Sequence, residues 1–332
     1  GKIKNLLQRR FPKNEIGHSF FDLADDRFIA RASRGYSHII ITDKWFDNEP
    51  ERQASIVELL DRGVDILSID HHDRDFPMVD VSKIPHEYNP LIPESMVWAK
   101  EGRRTSGNLT FISPKRLGAD VDSSVLTSGI IARRIALALD EGIIDNPQSL
   151  ALSVFGDGAE ESWAQIKQMV NGTSRAVEDL SSSINLGHNL KDVRGLVSAM
   201  TSDNPDLYGE LNSLQEVSSL YRLRKFIQMR AEQIVGSFNN ESEYLYYQVS
   251  GEAVSAIRKK IPGLRTNILF YKGGSTAISK RLEEKKPVIV TQEVARRGGN
   301  HTIEIAIKYD GDTDKFDTRD LAGIFQGGGR AK

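Results

Sequence analysis

The sequence has no cysteine, which excludes disulfide bridges, thiolate metal sites and cysteine nucleophiles and suits a reducing cytoplasm. It has no apolar run near the roughly 20 residues that a membrane-spanning helix needs, and no signal-peptide pattern opens it. Charge of one sign is lacking too: the net charge is −2, so no global basic field draws the chain to nucleic acid, and such binding has to come from a local patch. No internal repeat and no low-complexity segment is found. What is present is ordinary for a globular protein with real cores: 332 residues, 39% hydrophobic and 27% charged, enough for two or three domains. The chain opens with "GKIKNLLQRRF", an amphipathic helix already under way, and stops at "GGGRAK", so both ends read as cut.

The first part alternates strand and helix. "SHIIITD" (37–43) is a β-branched run expected for a strand buried on both faces of a parallel sheet. "PERQASIVELLDRG" (50–63) has the pattern of an amphipathic helix, with Pro50 near its start and Gly63 just past its end. "VDILSID" (64–70) is the next strand, and the three together predict a βαβ unit. Residues 91–122 are rich in glycine, proline and charge and read as an irregular insertion. Helices are expected over 123–142, capped by serine, and over 146–156. Residues 159–238 are mostly helical and polar, with Pro205 the only proline, and suit a connecting region. From Glu243 the texture changes: "YLYYQVSG", "TNILFYKG", "KPVIVTQEVA" and "HTIEIAIKYD" read as strands, with "VSAIRKKIP" and "STAISKRLEE" as helices between them.

The chemistry concentrates in "SIDHHDRDFP" (68–77), which places two of the chain's seven histidines side by side at the end of a buried strand. Ligands of open α/β sheets bind beyond the carboxyl ends of the strands. Asp43 and Asp70 each end such a strand, and if the strands are neighbours their carboxylates converge with His71 and His72 on one crevice. A mixed oxygen and imidazole set suits Mn²⁺, Fe²⁺, Zn²⁺ or Mg²⁺. Asp157, in "VFGDGAEES", ends another apolar run between two glycines, which would let the backbone approach a ligand. An Asp after a strand is commonly a turn or cap residue, and that is the better reading of Asp43 taken alone. An adjacent His pair is different, since its two rings point opposite ways along an extended chain.

These segments, "IIITDKW", "SIDHHDRDFP" and "VFGDGAEES", resemble the DHH phosphoesterase superfamily, which includes RecJ-type single-strand exonucleases, nano-RNA hydrolases, cyclic-dinucleotide phosphodiesterases and manganese pyrophosphatases. The tail "LAGIFQGGGRAK" resembles the glycine-rich loop of the DHH-associated C-terminal domain. The resemblance implies an α/β fold: a parallel-sheet DHH domain with helices on both faces over 1–160, a helical connecting region over 161–240 and a smaller substrate-binding α/β domain over 241–332. It implies two Mn²⁺ or Mg²⁺ ions, bridged by Asp43, with His71 and Asp157 as further ligands. Asp70 becomes the supporting acid of the triplet, His72 the imidazole that faces the substrate phosphate, and Gly327, Gly328, Gly329 and Arg330 the substrate loop. "HEYNP" (86–90) resembles the Asn-Pro turn that follows the triplet, but it reads equally as a plain turn and assigns Asn89 no role.

Two departures stand out. The family's first motif, a DxD pair on the first strand, is expected upstream of Gly1, and His18, Asp22, Asp25 and Asp26 read as a solvated cluster rather than as substitutes. Arg330 stands where the family has histidine, which keeps a phosphate grip and loses an imidazole proton donor. The expected activity is metal-dependent phosphodiester hydrolysis, most of all by a cytoplasmic nuclease of single-stranded or short oligonucleotides. Arg258, Lys259, Lys260, Arg296 and Arg297 would follow the nucleic-acid backbone, although such runs are commonly just a solvated face. The rival readings are a catalytically silent scaffold and a hydrolase of pyrophosphate or a cyclic dinucleotide. No membrane partner is expected, and a homodimer is allowed.

Overall fold

The computed structural model describes residues 2–17, 34–42, 58–69, 95–100, 103–112, 127–140, 142, 146–169, 174–202, 204–238, 241–266, 268–295, 301–311 and 318. Contacts divide the chain into two compact units, 1–181 with 197–211 and 182–196 with 212–332, so the helical stretch 161–240 is shared between them.

In the first unit, strands β1 (His38–Thr42), β2 (Asp65–Ile69), β3 (Ser95–Lys100) and β4 (Arg103–Ile112) form one sheet in the order β1-β2-β4-β3. β1, β2 and β4 run parallel, and β3 is antiparallel to β4. β2 lies inside the sheet, and Ile66, Ser68 and Ile69 are buried. β1 is the outer strand among the described residues, so only Ile41 of its isoleucines is buried and the expected burial on both faces does not hold. Residues 58–61 are helical and turn at Gly63 into β2, as expected for the end of the crossover.

The expectation of an irregular 91–122 is overturned, because this stretch supplies β3 and β4. Only Leu109 to Ile112 of β4 pair with β2, and these carry its apolar run; Arg103 and Arg104 pair with β3 alone and stay polar. Gly107 is required here, since a Cβ on it would lie 2.4 Å from the Val64 carbonyl oxygen.

Helix α1 (Lys2–Arg10) packs on α2 (Ser128–Leu139) through Leu6 against Ala136 and Leu137. Arg9 pairs with Asp140 at 3.2 Å, and Arg10 donates to the Leu139 carbonyl, so α1 brings cations to the negative end of the α2 dipole. The N-cap of α2 is Thr127, whose hydroxyl accepts from Ile130 N–H at 3.1 Å, and not the serine expected near 123. α2 also packs against β1 and β2. Helices α3 (Pro147–Gly156) and α4 (Glu160–Met169) follow, and α5 (Ser174–Ile184), α6 (Arg194–Thr201) and α7 (Leu207–Ser213) continue the chain.

The second unit holds helix α8 (Gln215–Gly236), strand β5 (Leu245–Val249), helices α9 (Gly251–Lys260) and α10 (Phe270–Ser279), and strands β6 (Val288–Ala295) and β7 (His301–Lys308). Its sheet has the order β5-β6-β7, with β5 parallel and β7 antiparallel to β6. α8 buries Val217, Leu220, Leu223, Ile227, Ala231 and Ile234, the three- and four-residue spacing of one helix face. α10 packs on α8, β6 and β7. The strand expected at "TNILFYKG" is instead the approach to α10 and its first turn. Two buried amides hold it there: Leu269 N–H donates to Asn189 Oδ1 at 2.7 Å and Phe270 N–H to Gln292 Oε1 at 2.8 Å. They satisfy donors that a helix start otherwise leaves bare.

Candidate functional site

β1 and β2 pair in parallel with Thr42 directly opposite Ile69. Both strands therefore end at the same edge of the sheet and at the same level. The next residues in the sequence are Asp43 after one and Asp70-His71-His72 after the other. This answers the condition on which the sequence argument depended, that the two strands be neighbours. Asp43, Asp70, His71 and His72 themselves lie outside the described residues, as do Gly327, Gly328, Gly329 and Arg330. So do His18, Asp22, Asp25, Asp26, Asn89, Arg296 and Arg297.

Just below this edge, Ser68 is fully buried and its hydroxyl has no hydrogen-bond partner among the described residues. A buried unpaired hydroxyl costs about 1–3 kcal/mol, so its place one residue from the strand end marks that edge as polar beneath an apolar sheet. Sequence reasoning passed over Ser68, although a serine inside "VDILSID" was a visible break in an apolar run. At the opposite edge of the same strands His38 Nε2 lies 3.4 Å from Asp65 Oδ2, both exposed. That pair belongs to the amino end, away from where ligands of parallel sheets collect.

Asp157 is described, half-buried, as the C-cap of α3 with φ −83° and ψ −7°. The turn around it is a full helix-ending motif: Gly158 N–H donates to Phe155 O and Ala159 N–H to Val154 O, each at 3.2 Å. Gly158 has φ +73° with open space where a Cβ would stand, so the glycine serves backbone conformation. The positive φ alone therefore accounts for a glycine at this position. Phe155 and Trp163 meet edge to face at 5.2 Å between ring centres and brace the turn from both sides. The other end of α3 is held by the Asn146 cap and by Tyr208, whose N–H donates to Gln148 Oε1 at 2.9 Å and whose hydroxyl donates to Gln148 O at 3.3 Å. Burial pushes the Tyr208 hydroxyl up to about 12, so it remains a donor at any ordinary pH. Asp157 thus sits on a helix fixed at both ends.

Among the described residues no three acidic or imidazole side chains come together as a metal site. Nor is any helix among them long and apolar enough to cross a membrane. In the second unit Arg258, Lys259 and Lys260 are exposed in the last turn of α9, where the helix dipole favours cations.

No protein-family model and no curated protein matches the sequence. Solved structures do. One is described as the DHH domain of a member of a family of ribosomal proteins; it is 15% identical, with a TM-score of 0.55, and the match covers 97% of this chain and 72% of that one. RecJ in complex with Mg²⁺ from Thermus thermophilus matches at 12% identity and a TM-score of 0.36, over 91% of this chain and 49% of that one. The fold is that of a DHH-domain protein, an α/β domain accompanied by a smaller α/β unit.

Proposed function

We propose that the protein is a divalent-metal-dependent phosphodiesterase acting on single-stranded or short oligonucleotides. The observation that carries this is the register of β1 and β2, which brings the chain out of the sheet at two adjacent points, immediately before Asp43 and before Asp70-His71-His72. Paired strands are about 4.8 Å apart, so groups that follow them directly are within reach of a common ion. The donors fit such an ion in kind, since carboxylates with an imidazole suit Mn²⁺ or Mg²⁺. The unpaired Ser68 hydroxyl below fits a polar site rather than a closed core.

In this reading Asp43, His71 and Asp157 hold the metal, and two ions complete the site. A bound divalent ion supplies positive charge that acidifies a water and neutralises phosphoryl oxygens. Asp70 orients its neighbours, and His72 donates a hydrogen bond to the phosphate as charge develops on it. Residues 1–160 form the catalytic domain, 161–240 the helical connection and 241–332 the substrate-binding domain. In the last, Gly327, Gly328, Gly329 and Arg330 hold a phosphate next to the scissile one. The exposed cations at the end of α9 support a nucleic-acid substrate, because Arg258, Lys259 and Lys260 form no ion pair among the described residues.

The test is steady-state hydrolysis with Mn²⁺ of a dinucleotide, a longer single strand and pyrophosphate, by wild type and Arg330→Ala. The variant is expected to raise KM for oligonucleotides about tenfold with little change in kcat, since it removes binding common to ground and transition states. Pyrophosphate as the best substrate would overturn the nuclease reading and leave the metal chemistry.

A further inference from the structure

The second unit carries a feature with no part in that chemistry. A cavity of about 260 Å³ lies between the last turns of α8 and strand β5, lined by Arg230, Gln233, Ile234, Phe238, Tyr246 and Tyr247 among others. Its one lining cation has no acidic partner among the described residues: Arg230 donates to Gln233 Oε1 at 2.9 Å and to the Tyr247 hydroxyl at 3.4 Å, both neutral. These bonds aim the guanidinium and leave its charge uncompensated. Ser237 and Gln233 add polar groups to a wall otherwise aromatic and aliphatic, and Tyr246 is held by a 3.0 Å hydrogen bond to Thr291 while staying 55% exposed.

The cavity borders an open strand edge. β5 pairs only with β6 among the described residues. Leu245 N–H donates to Pro287 O, so in a parallel ladder the backbone groups of Leu245, Tyr247 and Val249 face β6, and those of Tyr246 and Gln248 face outward. Exposed edges are usually blunted by lysine, proline or a bulge, whereas β5 reads Leu-Tyr-Tyr-Gln-Val with none of these, and Tyr244 beside it is 53% exposed.

We propose that the edge of β5, with the cavity beside it, docks an extended peptide segment in which an acidic residue neighbours an aromatic or large apolar one. The peptide main chain pairs with Tyr246 and Gln248, the acid meets Arg230 beside Tyr247 on the helix-covered face of the sheet, and the neighbouring apolar side chain, pointing the other way, packs on the exposed Tyr246. This is strand addition with side-chain pockets setting specificity. A nucleotide is the weaker candidate, because sites that follow a phosphate backbone array several cations and this one presents a single guanidinium. The proposal stands apart from the phosphodiesterase reading and survives its failure.

The test uses the whole chain and a fluorescein-labelled eight-residue peptide of alternating valine and threonine with an Asp-Phe pair at its centre. Binding by fluorescence anisotropy is expected to saturate below about 100 μM. Arg230→Glu should weaken it about tenfold or more, and so should exchange of the peptide's Asp for Asn. A peptide with Lys in place of Asp should bind Arg230→Glu better than it binds wild type, a reversal that a misfolded variant would not show. Hydrogen exchange at the Tyr246 and Gln248 amides should slow when the peptide is bound. No binding at 1 mM peptide, about tenfold above the expected range, or binding indifferent to Arg230, would overturn the proposal. So would an oligothymidylate that binds in an Arg230-dependent way while the peptide does not. Dimerisation of the chain itself, lost in Arg230→Glu, would assign the edge to a second copy and equally overturn it.

Discussion

Two of the parallel strand pairs, β1–β2 in one sheet and β5–β6 in the other, are alike in length of pairing and in apolar content. They differ in what lies at their carboxyl ends. Beyond β1 and β2 the sequence continues into Asp43 and Asp70-His71-His72, and Ser68 has a buried hydroxyl without a partner among the described residues. Beyond β5 it continues into Ser250, which caps α9 by accepting from Ala253 N–H at 3.2 Å. Opposite Val249 stands Gln292, whose amide accepts from Phe270 N–H and donates to the Ile268 carbonyl. Polar groups at the second pair are thus consumed in building the fold. In the proposed reading, the acids and histidines that follow the first pair in the sequence hold metal instead.

Substitutions at the two edges should therefore fail in opposite ways. Asp43→Ala should lower Mn²⁺-dependent hydrolysis of a single-stranded oligonucleotide about a thousandfold or more, roughly 4 kcal/mol of transition-state stabilisation, with the thermal midpoint little changed. Turnover measured alongside circular dichroism checks this, and equal turnover with equal metal content would break the contrast. Gln292→Leu should do the reverse. It removes the side-chain partner of both the Phe270 N–H and the Ile268 carbonyl and leaves them only their 3.0 Å bond to each other, so about 1–2 kcal/mol of stability should be lost by urea unfolding while kcat per folded molecule holds. A smaller effect tests the first edge again. Ser68→Ala removes an unpaired buried hydroxyl and should leave stability unchanged or raise it by about 1 kcal/mol. A clear loss of stability in Ser68→Ala would show the hydroxyl to be satisfied in solution and remove one support for a polar site.

Much of this contrast was legible in the amino-acid pattern, and the rest was hidden for identifiable reasons. β1, β2, β6 and β7 announce themselves as β-branched runs, and α3 by Asn146-Pro147 at its start. β4 did not, because its apolar half is only four residues long and its other half pairs with an edge strand. "ILFY" in 268–271 is the kind of short apolar run that periodicity alone cannot assign, and the decision rests with Asn189 and Gln292, distant in sequence. At the candidate site the residue types were visible, while the adjacency of the two strands was not. Asp157 was noticed for its flanking glycines, yet Gly158 proves to end a helix.

The central claim is that divalent metal collects at the edge where β1 and β2 end. The direct measurement is methyl NMR of the chain titrated with Mn²⁺, whose unpaired electrons broaden nearby signals even when binding is weak. The account predicts selective broadening of Ile41, Thr42 and Ile69 methyls that weakens toward Val64, just before the other end of β2, and loss of the effect in a variant combining Asp43→Ala with His71→Ala. Broadening that spares the first edge, or that persists unchanged in the double variant, would contradict it.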